Sequence, residues 1–262
     1  MKNRIFKGAV SAILTLVTIM SASVVAIVPA NAAAQDTYTV NCLTQASTST
    51  SDVYIRVYGT EGTTGWHNLG EIGDGENTSA QFTDRNVGEI TKIEIEHIID
   101  WFQDLWNPSV ITVKNSTDET TFYNSNPLPT KGVVTLSDTD IAYSLNIKTS
   151  KDKNSGTDAD VFVKLTDTAG SSFITELSAL HPKANAFEAE DDTTIYITAP
   201  TTMEKIKSIE LSIDTGTWYK LGADWRVLEF TLTQLTGKNA GDTFTKTVNQ
   251  WITEDEPFTA TF

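Results

Sequence analysis

The sequence predicts an all-β protein: two antiparallel β-sandwiches in tandem, following an export signal. Three observations carry this expectation. Four blocks recur in the same order at the scale of a domain. Each block alternates apolar and polar residues with the period of a strand. The chain beyond its leader holds no convincing amphipathic helix.

The leader comes first. A basic start, "MKNRIFKG", runs into the apolar "AVSAILTLVTIMSASVVAIV" and then Pro29 and Ala30-Asn31-Ala32, which reads as a signal peptide over 1–32. The apolar run approaches the roughly 20 residues that cross a bilayer, so an N-terminal membrane anchor is the alternative. Pro29 and the small residues after it suit cleavage and secretion better. Without Lys2, Arg4 and Lys7 the formal charge falls from −15 to −18. That field repels phosphate backbones, and no basic run offsets it, so nucleic acid is excluded as an expected partner. An anionic lipid surface would need bridging cations. Cys42 is the only cysteine, so no internal disulfide is expected.

The duplication comes next, with a first unit over 36–128, a second over 140–262 and a linker within 125–140. "YTVNCLT" (38–44) lies over "YSLNIKT" (143–149), sharing Tyr, Asn and Thr. "DVYIRVY" (52–58) lies over "DVFVKLT" (160–166). "EITKIEI" (89–95) lies over "KIKSIEL" (205–211). Trp106 precedes Ile111 and Val113 at the spacing by which Trp225 precedes Phe230 and Leu232. In the second block Val53, Ile55 and Val57 share one strand face, as do Val161, Val163 and Leu165, with Arg56 and Lys164 opposite. Gly- and Asn-rich stretches such as "GDGEN" and "TGKNAGD" mark turns.

With "GTDADVFVKL", "KIKSIELSI", "ADWRVLEFTL" and "NQWI" (249–252) in order, the second unit resembles the PLAT (polycystin, lipoxygenase, alpha-toxin) domain, and its end resembles the C-terminal domain of clostridial phospholipase C toxins. The first unit resembles the same family through "SDVYIRVYG", "GWHNLG", "VGEITKIEIEH" and "LWNPSVITV", but lacks the Gly-Thr-Asp triplet. The resemblance implies a β-sandwich that docks on a lipid membrane or a protein partner through its loops. Some members bind calcium there.

The turn "SKDKNSGTDAD" is three residues longer than its counterpart "QASTSTSD" and richer in oxygen. Calcium takes about 6–8 oxygen ligands. Such residues are also the ordinary chemistry of a turn. The resemblance implies calcium ligands at Asn154, Gly156, Thr157 and Asp224, with Asn185 and Asp158 as further candidates. One departure stands out: toxin-like members place an Asp two residues before the aromatic, where this chain has Ala223. Either Asp224 points away, or Ala223 offers only its carbonyl.

Between the third and fourth blocks the first unit carries "HIIDWFQDLW" and the second "TWYKLGADW". Trp106 and Trp225 open strands and are expected in the core. Trp101, Phe102, Trp218, Tyr219 and Leu221 fall within the connections, where a ring either covers the sandwich or meets a membrane interface. The leading expectation is a docking protein. Carbohydrate binding, with sugars stacked on the rings, is the alternative. No enzyme is expected: His67, His97 and His181 make no zinc set, and no nucleophile elbow is present.

Overall fold

The computed structural model describes residues 34–44, 52–71, 77–98, 108–125, 128, 132–180, 187–216 and 224–262; the expected signal peptide lies outside them. Strands β1 (Gln35–Thr44), β2 (Asp52–Gly59), β3 (Gly62–Thr63), β4 (His67–Glu71), β5 (Asn77–Arg85), β6 (Ile90–His97), β7 (Pro108–Lys114), β8 (Glu119–Tyr123) and β9 (Val133–Ser137) form the first sandwich. One sheet has the order β5-β1-β7-β8; the other runs β3-β2-β6-β9, with β4 also paired to β2. The second sandwich holds β10 (Ile141–Thr149), β11 (Asp160–Asp167), β12 (Ser172–Glu176), a single 3₁₀ turn at Ser178–Leu180, β13 (Asp192–Ala199), β14 (Ile206–Asp214), β15 (Trp225–Gln234), β16 (Thr243–Ile252) and β17 (Phe258–Thr261). Its sheets are β13-β10-β15-β16 and β12-β11-β14-β17.

The repeats agree in their central strands and in two of their irregularities. Arg56 pairs with Glu94 and Lys164 with Glu210, each a cross-strand ion pair, at 3.7 and 4.0 Å. A bulge interrupts β2 at Tyr58/Gly59 and β11 at Thr166/Asp167, the same register position. Another interrupts β1 at Leu43/Thr44 and β10 at Lys148/Thr149. The expected linker falls within 125–140, and part of that stretch is a strand. Residues 133–137 within it form β9, which pairs with β6 as β17 pairs with β14. What joins the sandwiches is 138–140.

Strand alternation decides what each side chain does. Val53, Ile55 and Val57 are wholly buried, as are Val161, Val163 and Leu165, while their neighbours remain partly exposed. Each such burial stabilises by about 1.5–3 kcal/mol relative to leaving the side chain in water. The two cores are separate clusters, one per sandwich. Cys42 belongs to the first, and burial pushes its thiol up to about 12. A thiol this protonated is a poor nucleophile. Native protein should therefore give no reaction with Ellman's reagent over minutes, and one thiol per chain after denaturation. Prompt reaction in the native state would place Cys42 outside the core.

Antiparallel pairing sets each sandwich's two ends. At one, here the rim, β1, β6 and β8 end while β2 and β7 begin. Its counterpart in the second sandwich collects the ends of β10, β12, β14 and β16 and the starts of β11, β13 and β15.

Candidate functional site

The polar turn 150–159 sits on the rim of the second sandwich. Its first half is closed by its own hydrogen bonds. Ser155, fully buried, donates its hydroxyl to the carbonyl of Ser150, which also accepts the N–H of Glu190 at 3.0 Å. The Ser150 hydroxyl donates to Asp152 Oδ2 at 2.8 Å, and the same oxygen takes Arg226 Nη1. Asp152, the first acid of the turn, is thus neutralised by an arginine far along the chain.

The turn is laced to the start of β15. Ser150 N–H donates to Arg226 O at 2.8 Å, and Arg226 N–H donates to Ser155 O at 3.0 Å. The segment after the 3₁₀ turn closes the other side. Thr149 N–H donates to Asp191 O at 2.8 Å, and Thr157 N–H donates to Phe187 O at 3.3 Å. Beneath lies Trp225, wholly buried, tilted against Phe187 at 4.9 Å and donating its indole N–H to Thr149 Oγ1 at 3.0 Å. The turn, the 187–191 segment and the β15 start therefore meet.

The candidate ligands differ in situation. Asn154 is exposed, with φ at 63°, a left-handed conformation that Asn tolerates. Gly156 is there for space: a Cβ would stand 2.8 Å from Glu188 Cα and 2.9 Å from Ala189 N, so any larger residue forces backbone apart. Thr157 is buried, and its Oγ1 accepts the N–H of Ala159 at 3.0 Å. Asp158 and Asp224 are exposed, Asp224 directly before buried Trp225. Asn185, Trp101, Phe102, Trp218, Tyr219 and Leu221 lie outside the described residues. Among the described residues no three or more His, Cys, Asp and Glu side chains converge on a metal position. The donors at this rim are nonetheless all oxygen. They fit a hard cation held by few protein groups and completed by water, not a closed cage.

Two residues escaped the sequence reading. Arg226 forms an ion pair with Asp152 that no local sequence signal marks. Trp251 is 41% exposed on β16 at the same rim, with the Arg226 guanidinium 5.9 Å from its ring. Its signal was present in the alternation, because Ile252 points inward and is fully buried. The rim around them is acidic, with Asp158, Asp214, Asp224, Glu254, Asp255 and Glu256 all exposed.

Among the described residues, His67 and His97 have structural settings. His67 Nε2 meets Asp84 Oδ2 at 2.7 Å and its ring stacks on Phe82, tying β4 of one sheet to β5 of the other. Burial alone would raise the Asp84 carboxyl, but bonds from His67, Gly65 and Arg85 outweigh it and hold the group below its ordinary value. His97 is buried, and that burial lowers its pKa, so it stays neutral at pH 7.

The chain matches the family model of the PLAT/LH2 domain twice, over 38–126 and 143–261. No curated protein matches it. Among solved structures, a LOX deletion variant in complex with arachidonate is 19% identical, with a TM-score of 0.38, over 45% of this chain and 16% of that one. Coral 8R-lipoxygenase, described as calcium-activated through a C2-like domain, is 21% identical, with a TM-score of 0.37 and the same coverages. The chain thus spans under a fifth of those proteins.

Proposed function

The chain belongs to the PLAT/LH2 domain family with both of its halves, and from that premise we propose a secreted, non-catalytic protein that docks on a lipid surface through its rims, assisted by calcium at the second. The family is a binding domain that engages lipid or protein partners. The observation that carries the reading is the convergence at the second rim. Strand register gathers there an oxygen-rich turn, the start of β15 and exposed Trp251. Gly216 and Asp224, which bound the segment with Trp218 and Tyr219, stand at that same rim.

Electrostatics gives calcium its role. A chain of formal charge −18 beyond its leader is repelled by anionic lipid. A cation held by Asn154, the Gly156 and Thr157 main-chain oxygens, Asp158 and Asp224 would reverse the local sign and coordinate lipid phosphate. With so few carboxylates the affinity belongs with extracellular modules, a Kd on the order of 0.1–1 mM. Calorimetric titration should show one such site. Asn154→Gly, which keeps the left-handed backbone, combined with Asp224→Ala should abolish the heat without changing the melting temperature. Co-sedimentation with phosphatidylcholine/phosphatidylserine vesicles should require calcium and be reversed by EDTA. If the protein stays in the supernatant under both conditions, the lipid reading is wrong and a protein partner takes its place.

A further inference from the structure

The two repeats part company at the end opposite the rim. In the first sandwich Tyr38 anchors that end: its hydroxyl donates to Arg85 O at 2.8 Å and accepts the Val87 N–H at 3.0 Å. In the second, Tyr143 takes the place of Tyr38 and Met203 that of Val87. Val87 and Met203 each stand three residues before the matched Ile90 and Ile206. Met203, however, gives its N–H to Pro200 O at 2.9 Å. The Tyr143 hydroxyl is left wholly buried with no hydrogen-bond partner among the described residues. That is a cost the first sandwich does not bear. Tyr143 lies opposite Gln234 in the sheet, and Gln234 lines a cavity of about 440 Å³ at this end.

The cavity has a definite chemistry. It is bounded by the turns 200–205 and 235–242 and by the start of β10. Thr168, Thr201, Gln234 and Asn239 bring hydroxyls and amides, groups that can both donate and accept. Ile141 and Met203, both buried, supply its apolar part. The charges cancel. Lys205 and Lys238 are balanced by Glu204 and by Asp242, which pairs with Lys205 at 3.2 Å. An ionic ligand would therefore find no opposite net charge. The size is that of a small-molecule site, roughly 300–1,000 Å³. Gly237 keeps it uncovered. Its φ is 81°, and a Cβ there would stand 3.4 Å from Gln234 Nε2 and 3.6 Å from Ile141 Cγ1, both residues of the cavity.

We propose that this cavity binds a neutral pyranose sugar. The hydroxyls and amides would meet the sugar's hydroxyls, and Ile141 with Met203 the C–H face of its ring. The site lies apart from the rim and does not depend on the docking reading. The test is saturation-transfer NMR on the full secreted chain with glucose, galactose, mannose and N-acetylglucosamine, each free and as its methyl glycoside, and with glucuronate as the charged control. Wild type should pass saturation to at least one of the four and not to glucuronate, equally with calcium or EDTA. Equal transfer to the methyl glycoside would mark a glycan end as the ligand, and preference for the free form a monosaccharide. Gly237→Asn, whose side chain tolerates the left-handed backbone, should abolish transfer at an unchanged urea midpoint. Thr201→Ala, at an exposed turn position, should weaken binding by roughly three- to tenfold. No transfer to any of the four sugars would overturn the proposal, as would stronger transfer to glucuronate. So would undiminished transfer in folded Gly237→Asn or, should that variant fail to fold, in Thr201→Ala.

Discussion

Replacing Trp225 by alanine should cost the protein about 3–5 kcal/mol, the usual range for emptying a large aromatic site. The ring is completely buried in the second core and is the largest side chain there. Its indole N–H also satisfies Thr149, itself 4% exposed, so the substitution strands a buried hydroxyl in addition to opening a cavity. Trp225→Phe keeps part of the volume and loses the bond, and should cost roughly 1–2 kcal/mol. The effect reaches the rim because Trp225 and Phe187 form the floor under the turn. Calcium titration of Trp225→Phe should therefore weaken even where the fold survives. Urea denaturation checks the first expectation; a loss below about 1 kcal/mol for alanine would mean the ring is not a core element.

Much of the fold could be read from the repeat because residues matched by eye occupy matched register. Val53/Val161 and Ile90/Ile206 open the same strand turns, and Arg56 and Lys164 find the same partner glutamate. β9 was missed for a physical reason. Its inward residues Val134 and Leu136 correspond to Phe258 and Ala260 in β17, so bulk is exchanged between neighbouring positions and only Thr135/Thr259 remain alike. A short edge strand is defined by the partner it pairs with, and that partner lies some forty residues upstream. The rim was legible as a polar turn facing a tryptophan-led strand. Its internal chemistry was not. Nothing local pairs Asp152 with Arg226, and nothing local sets the Glu188–Ala189 backbone against the Gly156 Cα. Both depend on contacts across sequence, which composition does not encode.

Gly59→Ala should be among the most damaging small substitutions in the first sandwich, at about 2–5 kcal/mol from overpacking and lost hydrogen bonds together. A Cβ there would lie 2.4 Å from the carbonyl oxygens of both Val87 and Glu89. Those oxygens accept Glu61 N–H at 2.7 Å and Thr60 N–H at 2.9 Å, closing the end opposite the rim. At the same bulge the second sandwich has Asp167, which solves the closure differently. Its buried carboxylate accepts Glu204 N–H at 3.0 Å and Ser171 N–H at 2.7 Å. The Glu204 bond, outweighing burial and aided by Ser171, holds this carboxyl below its ordinary value. A lowered carboxylate stabilises fully above the ordinary range and loses that contribution as pH falls through its folded value. The two solutions should therefore separate in acid: the penalty of Gly59→Ala should stay constant from pH 7 downward, while that of Asp167→Asn should shrink. Transplanting one solution into the other, as Gly59→Asp or Asp167→Gly, should destabilise in both directions. Denaturation of the four variants at neutral and acidic pH measures this directly, and a tolerated Gly59→Asp would show that the far ends of the two sandwiches are interchangeable.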